Sequence, residues 1–185
     1  MSNVSLEKNA LRKKAKKFRE NLLPYQKCKK DTVIFEKIIA LDEYKKSDTV
    51  LCYYSTDSEI DTLKLIDYSL KANKRVAIPR CIDDKGKMNF YYINSVDNVT
   101  TGAYGIKEPT ENAEICLGKQ SDICIIPSLM VDKMCYRLGY GKGYYDNFLR
   151  EFKGMKCVVC YKENLVDILP AYDGFDVKCD FYITD

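Results

Sequence analysis

Three alternate glycines, Gly139, Gly141 and Gly143, stand between an apolar run and a helix-forming stretch in IIPSLMVDKMCYRLGYGKGYYDNFL, residues 125–149. Glycine at such a junction lets the backbone approach a ligand closely and take positive φ, and the N–H groups of the following helix start can receive phosphate oxygens. In an α/β sheet the carboxyl end of a strand is also where ligands bind. Arg137 and Lys142 bracket the glycines with two cations, the neutralisation a triphosphate requires in a water-poor cleft. Asp146, in the expected first turn of the helix, can cap its N-terminus or hold Mg2+. The plainer alternative is a glycine-rich turn with a capping aspartate, which leaves the cations and the tyrosines unexplained. The loop is not a P-loop, since GKG follows the first glycine too soon and lacks the Mg-binding hydroxyl, and the dinucleotide pattern GxGxxG fails as well.

Other chemistry is closed off by composition. The 185 residues contain no histidine, which excludes Ser-His-Asp and Cys-His catalysis and every His-ligated metal site. Nine scattered cysteines, an odd number in apolar stretches, suit a reducing compartment and a core role better than a disulfide framework. Cys157 and Cys160 have CxxC spacing within the strand-like KCVVCYK, where residues three apart face opposite sides, so a redox or zinc role is not expected. The net charge of +3 conceals ten Lys or Arg against two Glu in residues 1–30. That local surplus is either a solvated helix face or a surface for phosphates, a polyanion or nucleic acid.

These residues need a scaffold. The length and a hydrophobic share of 46% fit one domain, residues 1–185, with a substantial core. No apolar run reaches about 18 residues and the N-terminus is charged, so the expectation is a cytoplasmic protein, neither secreted nor membrane-spanning. Leu6, Ala10, Leu11, Ala15, Phe18 and Leu22 follow helical spacing, predicting a basic amphipathic helix from Ser5 to Asn21 that stops near Pro24. A second helix is expected over 29–43, then a strand over 49–54, a helix over 61–72 and the strand RVAIP. MNFYYI at 88–93 reads as a third strand suited to an edge, followed by loop from 94 to 120. DICIIPSLMVD, 122–132, reads as one central strand buried on both faces, ahead of the glycine loop, a helix over 143–152 and the strands KCVVCYK and CDFYIT. The alternation predicts a single three-layer α/β domain with a mostly parallel, Rossmann-like sheet flanked by helices.

RLGYGKGYYD resembles the signature of the 5-formyltetrahydrofolate cyclo-ligases, also called 5,10-methenyltetrahydrofolate synthetases. KNALR at 8–12, YYSTDSEIDT at 53–62, GAYGIKEP at 102–109, IIPSLMVD at 125–132 and DVKCDFYIT at 176–184 are similar to further family segments and fall in family order. The resemblance implies ATP-dependent conversion of 5-formyltetrahydrofolate to 5,10-methenyltetrahydrofolate. Lys8, Arg12 and Arg137, Leu138, Gly139, Tyr140, Gly141, Lys142, Gly143, Tyr144 and Tyr145 would contact ATP. Tyr54, Glu59 and Tyr140 to Tyr144 would meet the folate, and Asp146 and Asp176 would bind Mg2+. Near the C-terminus the chain departs from the family pattern: it reads LPAYDGFD, with Phe175 before Asp176 where relatives carry His, so Asp173 or Asp180 could take the place of Asp176 at the metal.

The route implied by the resemblance is attack of the formyl oxygen on the γ-phosphate, giving an N5 iminium phosphate, followed by N10 closing the ring and expelling phosphate. Such transfer depends on alignment and charge stabilisation rather than on a nucleophilic residue. Arg137 and Lys142, with Lys8 and Arg12, would neutralise phosphates; Tyr144 or Tyr54 would flank the pterin; Glu59 would accept from its amino and ring N–H edge. A monomer acting on small molecules is expected, without nucleic acid or membrane partners. Two other classes remain: a sugar-phosphate isomerase or acyl-CoA transferase on a related scaffold, which would not consume ATP, and a single-strand nucleic-acid module with salt-dependent affinity.

Overall fold

The computed structural model describes residues 3–102, 105–170 and 174–185. Chain order is α1 (Asn3–Glu20), α2 (Pro24–Ala40), α3 (Asp42–Lys46), β1 (Thr49–Cys52), α4 (Leu63–Lys71), β2 (Arg75–Cys81), β3 (Met88–Ile93), β4 (Val99–Thr101), β5 (Lys107–Pro109) and β6 (Ile115–Cys116). It continues with β7 (Ile123–Pro127), β8 (Met130–Asp132), β9 (Arg137–Leu138), α5 (Tyr144–Glu151), β10 (Met155–Val159), a 3-10 turn (Lys162–Asn164), β11 (Leu165–Val166) and β12 (Phe181–Ile183).

A seven-stranded sheet in the order β12-β10-β7-β1-β2-β3-β6 forms the middle layer. The strands from β12 to β2 are parallel and β3 and β6 are antiparallel additions. One face carries Ile34, Phe35 and Ile38 of α2 with Leu65 and Ile66 of α4. The other carries Leu149 of α5 over Leu51, Cys124 and Ile126. The expected three-layer α/β architecture with a mostly parallel sheet is therefore the one observed. Cys157 packs on the first face and Cys160 on the second, the opposition that the strand period requires, and both are free thiols.

Because β2 lies on one side of β1 and β7 on the other, the chain reverses its direction of winding between β1 and β7. In such sheets a crevice opens there, beyond the carboxyl ends of the strands. α1 crosses this end of the molecule: Leu11 and Ala15 pack with Leu129, Met130 and Leu138, and Phe18 and Leu22 pack against the main core.

Several boundaries differ from the sequence reading. Pro24 begins α2 as well as ending the first helix; its fixed φ suits a first helical position, where a missing N–H costs nothing, and Leu41 then separates α2 from α3. β3 is not an edge, because β6 lies outside it. The stretch 94–120 holds three short strands, of three, three and two residues, too brief for a periodic signal. The apolar run 122–132 is two strands in different sheets, since β8 joins β9 and β11 in a small three-stranded sheet. The break falls after Pro127, where the hydroxyl of Ser128 donates to the Val159 carbonyl at 2.8 Å, turning the chain out of the main sheet.

Candidate active site

The turn after β1 is fixed by its own polar groups. Tyr53 Oη donates to the Ile60 carbonyl at 2.8 Å, Thr62 Oγ1 donates to the Tyr53 carbonyl at 2.5 Å, and Ser55 N donates to Thr62 Oγ1 at 3.1 Å. Glu59 closes the loop, its Oε2 accepting from Thr56 N at 2.9 Å and Thr56 Oγ1 at 3.0 Å. Tyr54 packs at the border of the core, its hydroxyl 3.4 Å from the Val96 carbonyl.

Opposite this turn lies the glycine segment. Arg137 and Leu138 are buried and form β9, paired to Val131 and Met130, so the signature begins as a strand and loosens only at Gly139. Gly141 (φ +91°) and Gly143 (φ +74°) take the left-handed conformation expected of them, and Gly139 does not. A Cβ on Gly141 would lie 3.1 Å from Arg12 Cζ, so glycine there also lets α1 come close. Arg12 Nε donates to the Gly139 carbonyl at 2.9 Å. One helical turn earlier Lys8 Nζ bonds Asp176 Oδ2 at 2.8 Å, joining the first helix to the C-terminal loop. Burial lowers the pKa of Arg12, and the charge of Asp176 opposes that shift.

Asp146 does not cap α5. Its Oδ1 accepts from Arg137 Nη2 at 3.0 Å and from Val177 N at 3.2 Å, so it ties β9, α5 and the loop carrying Asp176 together. Arg137 is 8% exposed, with its guanidinium 5.7 Å from the Tyr145 ring centroid. Arg137 Nε and Tyr145 Oη are both buried without a hydrogen-bond partner among the described residues. Burial pushes the Tyr145 phenol well up.

Tyr144 points elsewhere. Its hydroxyl donates to the Asp83 carbonyl at 2.7 Å, and Asn147 Nδ2 donates to the Gly86 carbonyl at 3.0 Å. The turn between β2 and β3 thus braces the glycine loop and the start of α5. Lys142 is exposed on the loop's outer surface. Of the alternative carboxylates, Asp180 stands at the opposite end of the sheet, accepting from Lys156 N at 2.7 Å as β10 begins. Asp173 lies outside the described residues.

The structure therefore gathers Lys8, Arg12, Arg137, Asp146 and Asp176 into one charged cluster around the glycine loop, and sets Glu59 and Tyr140 beside it. Sequence reasoning missed Arg19, whose Nη1 donates to Tyr140 Oη at 3.1 Å and Nη2 to the Ser128 carbonyl at 2.5 Å. The signal was available: Arg19 follows Lys8 and Arg12 on the same helical face. It also missed the bracing turn at Gly86, for which nothing in the pattern DDKG points to the loop it touches.

Among the described residues no helix is long and apolar enough to cross a membrane. The profile of the 5-formyltetrahydrofolate cyclo-ligase family matches residues 4–185. A probable 5-formyltetrahydrofolate cyclo-ligase of Schizosaccharomyces pombe is 28% identical, with 98% of this chain and 96% of that protein aligned. The NMR structure of a 5,10-methenyltetrahydrofolate synthetase from Aquifex aeolicus superposes with a TM-score of 0.83 at 32% identity, covering 96% of this chain and 89% of that one. The 5,10-methenyltetrahydrofolate synthetase of Mycoplasma pneumoniae gives 0.76 at 25% identity, covering 96% and 98%. With the profile running from residue 4 to the last residue, and both of these solved structures sharing its fold, the chain belongs to the 5-formyltetrahydrofolate cyclo-ligase family.

Proposed function

We propose that this enzyme carries out the ATP-dependent conversion of 5-formyltetrahydrofolate to 5,10-methenyltetrahydrofolate in the crevice between β1 and β7, as one unit of residues 1–185 working as a monomer in the cytoplasm. The observation that carries the assignment of roles is the meeting of Lys8 and Arg12 with the glycine loop and Asp176. ATP phosphates would lie along Gly139 to Tyr145, drawing on Arg137, Lys142, Lys8 and Arg12 for neutralisation. The folate would enter from the Glu59 side, between Tyr54 and Tyr140. Tyr144, held to Asp83, would serve the loop's conformation more than the pterin.

The carboxylates suit Mg2+. Asp146 and Asp176 are partly exposed, at 21% and 23% of their side chains. Mg2+ is commonly held by one or two carboxylates, with phosphate oxygens and waters completing the set. Asp146 and Asp176 would hold the ion, which when bound supplies charge neutralisation on the transferring phosphoryl group. Each carboxylate is paired with a cation, so the arriving triphosphate would find Lys8 and Arg137 already at the site and exchange partners with them. Chemistry then follows from alignment: the formyl oxygen attacks the γ-phosphorus and ADP leaves. N10 next adds to the iminium carbon, and its proton leaves with the phosphate as the C–O bond breaks, giving the methenyl bridge. Glu59 accepts from Thr56 N and Thr56 Oγ1 through Oε2, leaving about two of a carboxylate's four lone-pair positions for pterin N–H groups.

Absorbance at the methenyl-folate band, followed after mixing protein, the 6S isomer of 5-formyltetrahydrofolate and Mg2+ with and without ATP, tests the activity. A rise only with ATP, matched by ADP release, is expected. No rise from folded protein would return the site to a phosphate-binding loop of another enzyme class. The bracing turn gives a second test. A Cβ at Gly86 (φ +94°) would lie 2.8 Å from Asn147 Nδ2 and 3.0 Å from the Lys142 carbonyl. Gly86→Ala should cost about 1–3 kcal/mol of stability and raise KM for ATP more than KM for folate. Equal KM values for wild type and variant would detach the turn from the nucleotide site.

A further inference from the structure

Arg19 has no part in the roles assigned above, yet it is 7% exposed and as deeply buried as Arg137. It projects from the last turn of α1, on the face that carries Lys8, Arg12 and Lys16. Eleven residues separate Lys8 from Arg19, a rise of about 16 Å, so one helix face spans the crevice from the phosphate end to the Glu59 end. Lys16 Nζ stands 5.3 Å from the Tyr140 ring centroid, and the Arg19 guanidinium 5.9 Å from that of Tyr161.

The hydrogen bonds around Arg19 have one possible polarity. A guanidinium only donates, so the Tyr140 oxygen accepts from Nη1 and its own proton must go elsewhere. The Glu59 carboxylate lies nearby: burial, and after it the charge of Glu59, raises the Tyr140 phenol to about 12. The Arg19 end is anchored through Nη2 to the Ser128 carbonyl, and Ser128 is itself bonded to Val159 of β10. A rigid strand junction therefore fixes Arg19, and Arg19 fixes the Tyr140 hydroxyl on the side of Glu59. Tyr140 is 45% exposed and sits on a glycine loop; without Arg19 its hydroxyl has nothing on the α1 side to hold it.

We infer that Arg19 is a positioning residue for the folate half of the reaction: through the Tyr140 hydroxyl it holds that ring beside Glu59, on the side where the pterin would enter. The inference rests on the cyclo-ligase reading. It predicts a separation between the substrates that a purely structural arginine would not produce, because the ATP contacts belong to Lys8, Arg12 and the glycines at the other end of α1.

The test is steady-state kinetics with each substrate varied in turn on wild type, Arg19→Lys, Tyr140→Phe and the double variant, with a thermal midpoint for each. Arg19→Lys keeps the charge but cannot reach Ser128 and Tyr140 together with one planar fork. KM for 5-formyltetrahydrofolate should rise about tenfold, the loss expected for a hydrogen bond to a charged group, while KM for ATP stays within about twofold. The double variant should match Tyr140→Phe alone, since both changes interrupt one chain. An unchanged folate KM, additive effects, or parallel rises in both KM values with a fallen midpoint would each overturn the inference. If Arg19→Lys does not fold, Tyr140→Phe, which leaves the Arg19–Ser128 bond intact, must still raise the folate KM selectively. Absence of turnover in wild-type protein would fail the cyclo-ligase reading itself, and the inference with it.

Discussion

Asp146→Asn should lower turnover at saturating substrates by about a hundredfold or more, the scale on which removing one charge-stabilising group slows such reactions, while the fold persists. The substituted amide oxygen can still accept from Arg137 Nη2 and Val177 N, the two bonds that Oδ1 now takes. Geometry is thereby kept and the negative charge is lost. The Mg2+ concentration for half-maximal rate should rise at least about tenfold, as for disruption around other metal sites. Arg137→Ala should be as inactive but less stable, since Arg137 is 8% exposed and lies against Tyr145, and its loss leaves a cavity and strips Asp146 of its cation. Kinetics at graded Mg2+ with thermal melts on both variants separate the cases. A half-saturating Mg2+ concentration within twofold of wild type for Asp146→Asn would remove Asp146 as a metal ligand, and near-normal turnover would remove its role altogether.

The contrast between those variants reflects how the site is built. Asp146 and Arg137 join three elements that are distant in sequence, and Lys8 and Asp176 join residues 168 positions apart. The charges that would meet a triphosphate are also the ties that bring the N-terminal helix, the glycine loop and the C-terminal loop together. Pairing these charges with one another avoids the cost of isolated ones in a partly desolvated crevice.

Which parts were legible in the sequence follows from which forces are local. Helical spacing of Leu6, Leu11, Ala15 and Phe18 announced α1, and the parallel strands β1, β7 and β10 announced themselves as apolar runs, because burial imposes a period on the residues. The glycine loop was legible because Gly141 and Gly143 need a conformation that other residues rarely take. Whether the run 122–132 is one strand or two was not, since the break at Ser128 depends on a bond to Val159, 31 residues away. Arg19 stood on the legible face of Lys8 and Arg12, but that it is interior depends on a bond to Ser128, 109 residues away. The bracing of the glycine loop by Gly86 likewise rests on a contact between segments 61 residues apart.

Above pH 9 the protein should lose stability steeply. Cys52, Cys160 and Cys179 are buried, and burial pushes each thiol from 9.0 up to about 12; Cys124 and Cys157 are pushed well up by the same cause. The sign follows from proton counting. Between pH 9 and about 12 the folded thiols keep protons that the unfolded chain has released, so the unfolded state binds fewer protons and stability falls as pH rises. Well below pH 9 both states are protonated and the stabilisation is complete. Between pH 9 and pH 10 an unfolded thiol passes from half to about nine-tenths ionised and costs about 1 kcal/mol, so Cys52, Cys160 and Cys179 together remove about 3 kcal/mol, against a typical total of about 5–15 kcal/mol. The buried phenols of Tyr53 and Tyr145, raised by burial from 10.0, steepen the fall above pH 10. Urea midpoints measured under reducing conditions at pH 8, 9, 10 and 10.5 should hold steady to pH 9 and then drop, with an unchanged m-value. Cys52→Ala should flatten the drop by less than about a fifth, because one of the five most deeply buried thiols no longer titrates while Cys81, Cys116 and Cys135, also raised by burial, still do. A midpoint level from pH 8 to pH 10.5 would mean that water reaches these thiols, and that the core between the sheet and its flanking helices is looser than the packing of β1, β7 and β10 implies.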